Sequence, residues 1–125
     1  MPQITVRGLA FRYVLEGPED APVVAFSNSL GATLDMWDAL LPALAGRFRT
    51  LRYDTRGHGG SETHDRPTEI ADLAGDLAGL LDGLGIARAH LVGLSLGGMI
   101  VQALASADPA RCASATLMAT AAHLP

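Results

Sequence analysis

The sequence has little of several features that mark particular classes of protein. Its single cysteine, Cys112, excludes an internal disulfide framework and fits a reducing compartment. No run of Lys or Arg is present and the formal net charge is −4, which argues against a nucleic-acid groove or a basic membrane patch. The N-terminus lacks the layout of a signal peptide, and no stretch approaches the roughly 18 apolar residues of a membrane span. We therefore expect a cytoplasmic protein that binds neither nucleic acid nor membranes.

The chain does contain enough apolar material for one packed domain. Hydrophobic residues make up 49% and charged residues 18% of its 125 positions, a balance typical of globular proteins. From the spacing of apolar residues we predict a hairpin over 4–7 and 11–16 and strands over 22–26, 49–54, 89–92 and 114–119. We predict helices over 34–44, 69–84 (N-capped by Thr68) and 96–107, and Pro42 either breaks the first helix or starts its second piece. Strands that alternate with helices indicate an α/β fold, with a mostly parallel sheet after an N-terminal antiparallel hairpin.

One short motif points to chemistry. Gly93-Leu94-Ser95-Leu96-Gly97-Gly98 lies between a predicted strand and a predicted helix. A serine nucleophile needs such a strained strand-to-helix turn, with glycines at Gly93, Gly97 and Gly98 relieving the crowding. The positive end of the helix dipole then faces the place where negative charge develops. We therefore predict that Ser95 is a nucleophile; the alternative is a glycine-rich turn whose serine only caps the helix.

A dinucleotide site is the main rival for a strand–glycine–helix turn. In that pattern Ser95 would occupy the second glycine position, where the backbone must approach the pyrophosphate. The acidic residue that binds the ribose should follow the next strand, which instead ends in Met118-Ala119-Thr120. The dinucleotide interpretation therefore fails at both positions.

Three stretches and one dipeptide match a known pattern. They are Ser27-Asn28-Ser29-Leu30-Gly31, the Leu51–Gly59 segment LRYDTRGHG, the Gly93–Met99 segment GLSLGGM, and Met36-Trp37. With them the chain resembles the N-terminal half of an α/β-hydrolase, and more narrowly the 3-oxoadipate enol-lactonases. The resemblance implies a serine hydrolase of lactone or ester bonds that opens an enol-lactone in the β-ketoadipate pathway of aromatic catabolism, without a cofactor. Its partner is then a small-molecule lactone or ester substrate.

The resemblance also implies site residues. The backbone N–H groups of Leu30 and Leu96 would form the oxyanion hole; without Ser95, the 27–31 segment would read as an ordinary polar loop. Further candidates for substrate contact are Asn28, Ser29, Trp37 and Met99. For Trp37 and Met99, packing in the core is the first interpretation and lining of a pocket is the second.

The catalytic acid and histidine are expected to lie outside this chain. In this fold they follow the serine, and only Asp108 and His123 qualify by order. Asp108 falls at the far end of the helix that Ser95 begins, and His123 falls where the lid of the family begins. We therefore expect 1–125 to be the N-terminal half of a single domain, truncated after about the sixth strand, without the lid and the C-terminal strands. The bare sheet edge would then bind the missing half or a second copy.

The remaining polar residues are assigned structural roles. His58 is expected to stabilise the loop of sequence RGHGGS over 56–61, called the glycine loop below. His64 is expected to be solvated, and His90 to be hydrogen-bonded by neighbours of its strand. Asp54 and Arg56 are expected to pair with each other and fix the loop. No metal site is predicted, because no clustered Cys/His spacing is present. A carboxylesterase, a cofactor-free haloperoxidase, and an inactive fragment or binding module remain as alternatives.

Overall fold

A computed structural model describes residues 2–63 and 68–120. The strands are β1 (Gln3–Val6), β2 (Leu9–Glu16), β3 (Val23–Ser27), β4 (Arg49–Tyr53), β5 (Ala89–Leu94) and β6 (Cys112–Met118). The helices are α1 (Leu41–Leu44), α2 (Ile70–Gly83) and α3 (Leu96–Ala107), with 3-10 turns at Leu34–Trp37 and Pro109–Arg111. Every predicted strand is present, although the last one begins two residues earlier than the predicted Ser114. Two of the predicted helices are present, but the helix predicted over 34–44 is only the 3-10 turn and the short α1.

The six strands form one sheet in the order β1-β2-β4-β3-β5-β6. β4, β3, β5 and β6 are parallel to one another, while β2 is antiparallel to both β1 and β4. In the centre of the sheet, Ala25 lies opposite Leu51 on one side and Leu91 on the other. The predicted mostly parallel sheet with an N-terminal antiparallel hairpin is confirmed.

The two long helices cover one face of the sheet. The predicted apolar stripe of α2 is buried there at Leu73, Leu77, Leu80 and Leu81. Gly85, with a φ of +74°, follows the helix in a conformation that favours glycine. In the part of the chain that the structure describes, no helix is long and apolar enough to cross a membrane.

The start of α2 corrects one prediction. Its N-cap is Glu69 rather than Thr68, because the Asp72 carboxylate accepts a hydrogen bond of 2.8 Å from the Glu69 N–H and closes the first turn there. Pro67 and His64, which also belong to the predicted approach to this helix, lie outside the described residues.

The other face of the sheet is covered only in part. The Leu34–Trp37 turn packs Trp37 against Phe26, with ring centroids 4.7 Å apart. Pro42 lies in the first turn of α1, where its missing N–H costs no hydrogen bond. Of the two predictions for Pro42, the one in which it starts the second piece is confirmed. Beside this cluster lies an apolar groove of about 400 Å³, lined by Val24, Phe26, Leu40, Leu44, Phe48, His90, Val92, Thr116 and Met118.

Candidate active site

Ser95 lies at the sharp turn between β5 and α3. Its backbone has φ 56° and ψ −113°, a conformation that non-glycine residues rarely adopt. The residue is exposed, although the glycines that follow it are buried. Because Leu96 is the first residue of α3, its N–H has no acceptor within the helix and remains at the positive end of the dipole. The strand–turn–helix context predicted for Ser95 is therefore present.

The three glycines of the motif occupy places where a side chain would collide. A Cβ on Gly93 would overlap the backbone of Gly97, inside the same turn. A Cβ on Gly97 would overlap the carbonyl oxygen of Ser27, at the end of β3, and one on Gly98 would meet the side chain of Thr120. The glycines therefore allow the sharp turn at Ser95, and they let the end of β3 and the Thr120 side chain pack against it.

The segment after β3 lies directly against the start of α3, because Gly97 packs on the backbone of Ser27 and Asn28. The turn continues with a hydrogen bond of 3.2 Å from the Ala32 N–H to the Ser29 carbonyl, and the Leu30 side chain is 74% exposed. The structure therefore brings together the two segments that carry the candidate oxyanion donors, Leu30 and Leu96.

Two of the four candidates for substrate contact are buried instead. The Asn28 side chain donates to the Tyr53 carbonyl at 2.8 Å and accepts from the Trp37 indole N–H at 2.7 Å. Asn28 is fully buried and Trp37 is 5% exposed, so neither polar group is free to meet a ligand. The prediction that Asn28 contacts substrate is therefore corrected, whereas for Trp37 the first interpretation, packing in the core, is confirmed. Both side chains support the loop from beneath.

Ser29 and Met99 are the other two candidates, and both are half-buried beside the turn. The Ser29 hydroxyl makes a weak contact of 3.9 Å with the Met36 sulfur. Met99 belongs to the first turn of α3, where its N–H donates to the Ser95 carbonyl at 3.3 Å. A contact between either side chain and substrate stays a prediction.

Asp54 joins three segments behind the site. Its fully buried carboxylate accepts hydrogen bonds from the Leu34 N–H at 2.7 Å and the Gly60 N–H at 2.8 Å. It also pairs with Arg12 of β2 at 3.3 Å. Two backbone donors and one guanidinium satisfy this buried charge, so Asp54 fixes the glycine loop relative to β2 and the Leu34–Trp37 turn.

The predicted pairing of Asp54 with Arg56 is therefore wrong. Arg56 turns the other way and makes a bidentate pair with Asp76 of α2, at 2.9 and 2.8 Å. The hydrogen bonds that Arg56 donates to the Asp76 carboxylate raise the pKa of the Arg56 guanidinium above its ordinary value. In an extended strand, residues at i and i+2 point to the same face. Asp54 and Arg56 lie after the end of β4, where the chain is no longer extended, and so their side chains reach different partners.

The histidines in the described residues are not hydrogen-bonded to Ser95. His58 Nδ1 lies 3.1 Å from the Arg56 carbonyl within its own loop. His90 Nδ1 lies 2.7 Å from the Ser114 hydroxyl, and its ring meets Phe48 edge-on. The structural roles predicted for His58 and His90 are confirmed in these contacts, whereas His64 and His123 lie outside the described residues.

Two further predictions concern acids and metals. Asp108 ends α3, about 18 Å along the helix from its start at 1.5 Å per residue, and pairs with Arg111 at 2.8 Å. No group of His, Cys, Asp or Glu that could hold a metal ion occurs between 2 and 63 or between 68 and 120. Cys112 is half-buried, and its thiol donates to the Ser114 carbonyl.

Tyr53 connects the site to the core. Its hydroxyl shares a hydrogen bond of 2.9 Å with the hydroxyl of Ser27, and both residues are buried. Burial raises the pKa of the Tyr53 phenol well above its ordinary value, and the hydrogen bond to Ser27 opposes this rise only in part.

The raised pKa of the Tyr53 phenol predicts that the folded chain loses stability at alkaline pH. Because the pKa is higher in the folded chain, the stabilisation is complete below the unfolded tyrosine pKa of about 10 and is lost as the pH rises above it. Above about pH 10, the free energy of unfolding should fall about 1.4 kcal/mol per pH unit more steeply in the wild type than in Tyr53→Phe. Urea unfolding followed by circular dichroism measures these slopes. The control Tyr13→Phe should keep the steeper slope, and equal slopes for wild type and Tyr53→Phe would contradict this assignment.

Comparison with known proteins places these features in a family. A model of the alpha/beta hydrolase fold matches residues 22–125. The chain is 38% identical over 118 residues to 3-oxoadipate enol-lactonase 1 of Acinetobacter baylyi, which covers 94% of this chain and 44% of that protein.

Two solved structures match this chain over almost its whole length. The enol-lactonase from Burkholderia xenovorans LB400 matches with a TM-score of 0.96 and 44% identity, covering 99% of this chain and 48% of that one. A hydrolase from Pseudomonas aeruginosa PA01 matches with a TM-score of 0.94 and 46% identity, covering 99% and 47%. The chain thus spans a little less than half the length of these relatives.

Proposed function

Because the chain belongs to the α/β-hydrolase fold family, we propose that it carries the nucleophile and the oxyanion hole of a serine hydrolase whose substrate is an enol-lactone. The observation that carries this proposal is the exposed Ser95 in its strained turn, packed through Gly97 against the loop that holds Leu30. The similarity to 3-oxoadipate enol-lactonases supports the choice of substrate.

The reaction begins with attack of the Ser95 hydroxyl oxygen on the lactone carbonyl carbon, while a base removes the hydroxyl proton. The carbonyl oxygen becomes an oxyanion that accepts hydrogen bonds from the N–H groups of Leu30 and Leu96. The start of α3 adds its dipole to this stabilisation. These donors are fixed before substrate arrives, since Gly97 and the buried Asn28 hold both segments in place.

Collapse of this intermediate breaks the ring C–O bond and leaves the acyl group on Ser95. The leaving group departs as an enolate, whose oxygen takes a proton to give an enol. The enol then tautomerises to a ketone, and so the ring opening is hard to reverse. Water then attacks the acyl-enzyme with help from the same base, and Ser95 recovers its proton. No step in this sequence uses a metal or an organic cofactor.

We place the base and its acidic partner outside residues 1–125. Among the described residues, His58 and His90 are bonded elsewhere, and Asp108 lies at the opposite end of α3 from Ser95. A carboxylate on the substrate would also need a cation. Arg12 and Arg56, which flank the glycine loop, are already paired with Asp54 and Asp76. We expect this cation to come from outside the chain as well.

A comparison of substrates tests the proposal. In a protein that includes the sequence after residue 125, kcat/KM for 3-oxoadipate enol-lactone should exceed that for p-nitrophenyl acetate by at least about tenfold. The reason is that an oxyanion hole acts on both substrates, whereas contacts to the rest of the lactone are lost with the simple ester. A tenfold preference for the ester would replace the lactonase assignment with that of an esterase. Absence of hydrolysis with either substrate would favour a binding module.

A further inference from the structure

The last residue of β6 and the residues just after it hold the backbone of Ser95 from two sides. The Ser95 N–H donates to the Met118 carbonyl at 2.9 Å, which continues the β5–β6 ladder by one residue. The Thr120 hydroxyl donates to the Ser95 carbonyl at 2.7 Å. Between them, Ala119 has a φ of +48° and turns the chain so that the Thr120 side chain reaches back. Together the two hydrogen bonds hold both the N–H and the carbonyl of Ser95.

These hydrogen bonds lie at a residue whose backbone conformation is strained. A non-glycine residue with φ 56° and ψ −113° keeps that conformation only when its surroundings hold it there. The first turn of α3 contributes from one side, since the Gly98 and Met99 N–H groups also donate to the Ser95 carbonyl, at 2.9 and 3.3 Å. Thr120 contributes from the side of the sheet, so the carbonyl is fixed from two directions.

The third glycine of the motif, Gly98, is explained by the same contact. A Cβ on Gly98 would lie 2.5 Å from the Thr120 Cβ and 2.6 Å from its hydroxyl oxygen. The Thr120 side chain therefore occupies the space that a side chain at this position of α3 would need, and the contact fixes the direction of its hydroxyl. Glycine at position 98 thus leaves the space that the side chain of Thr120 fills.

We infer that Thr120 is a positioning residue for the nucleophile turn: its hydroxyl holds the Ser95 carbonyl and thereby keeps the serine in the conformation that projects Oγ away from the sheet. This inference rests on the proposed function only for its effect on rate. Thr120 acts through Ser95 and not through substrate, so its loss should lower kcat and leave KM unchanged.

Two substitutions separate the hydroxyl from the shape of the side chain. Thr120→Val removes the donor and keeps the branching, while Thr120→Ser keeps the donor. In the protein that includes the sequence after residue 125, kcat for enol-lactone should fall about tenfold in Thr120→Val, the usual size for loss of one hydrogen bond, with KM unchanged. Thr120→Ser should restore most of that loss. Thr116→Val, at an exposed position on β6, is the control and should behave as wild type.

A second measurement does not depend on catalysis. In the same protein, which includes the sequence after residue 125, the carbonyl and Cα carbon-13 shifts of Ser95 report its hydrogen bonding and its backbone conformation. They should change in Thr120→Val and stay close to wild type in Thr120→Ser. Wild-type shifts in Thr120→Val would overturn the inference whatever the rates, as would equal changes in both variants. If Ser95→Ala keeps its hydrolytic activity, the proposed function fails, while the spectra still decide the role of Thr120.

Discussion

Replacing Ser95 by alanine should lower kcat/KM for enol-lactone by about 10⁶-fold, the loss seen when a serine nucleophile is removed from a complete triad. The substitution removes the attacking oxygen but leaves the N–H groups of Leu30 and Leu96, so a residual rate of about 10³–10⁴ over water should persist. The measurement is steady-state hydrolysis by a protein that includes the sequence after residue 125. Binding of substrate should change little, because the alanine methyl group still fits the exposed turn.

A serine on the same helix provides the control. Ser106 is exposed near the end of α3, so Ser106→Ala should retain the wild-type rate. Labelling with a phosphonate adds an independent measurement, since the adduct should be found on Ser95 in wild type and be absent from Ser95→Ala. An adduct on another residue, or undiminished turnover in Ser95→Ala, would contradict the assignment of the nucleophile.

The sequence predicted the sheet and its helices because those elements follow from local patterns. The Val23–Ser27 strand lies between two parallel neighbours and is buried, which requires a continuous apolar run. The apolar stripe of α2 and the glycine after it mark a helix that packs on one face and then ends. The turn at Ser95 was predictable for a similar reason, since its glycines lie within three residues of the serine.

The partners of polar side chains were not predictable in the same way. Arg56 bonds to Asp76, 20 residues away, and Thr120 bonds to Ser95, 25 residues away. Such pairs depend on which strands and helices lie side by side, and no spacing in the sequence encodes that distance. Asn28 shows the same limit: the resemblance made it a candidate for substrate contact, whereas the packing of Trp37 buries it.

The second large effect is expected at Gly97. Gly97→Ala should lower kcat/KM by about 10²-fold or more, because a shift of about 1 Å between catalytic groups costs that much. The new Cβ would overlap the carbonyl oxygen of Ser27, which is backbone and cannot rotate away. The start of α3 must then separate from the loop after β3, and the N–H groups of Leu30 and Leu96 no longer converge. The free energy of unfolding should also fall, by about 1–3 kcal/mol as in other overpacked sites.

Gly75→Ala is the matched control, since it places the same methyl group in the middle of a helix. There the Cβ meets only the guanidinium of Arg7, whose side chain is 49% exposed and can move aside. Displacing Arg7 weakens its 3.6 Å ion pair with the buried Asp76, which keeps its shorter pair with Arg56. The better helix propensity of alanine offsets this cost by up to about 1 kcal/mol. Gly75→Ala should therefore keep wild-type kcat/KM and stability within about 1 kcal/mol. If Gly97→Ala matches Gly75→Ala in both measurements, the close approach of α3 to the Ser27–Gly31 loop is not what aligns the oxyanion donors.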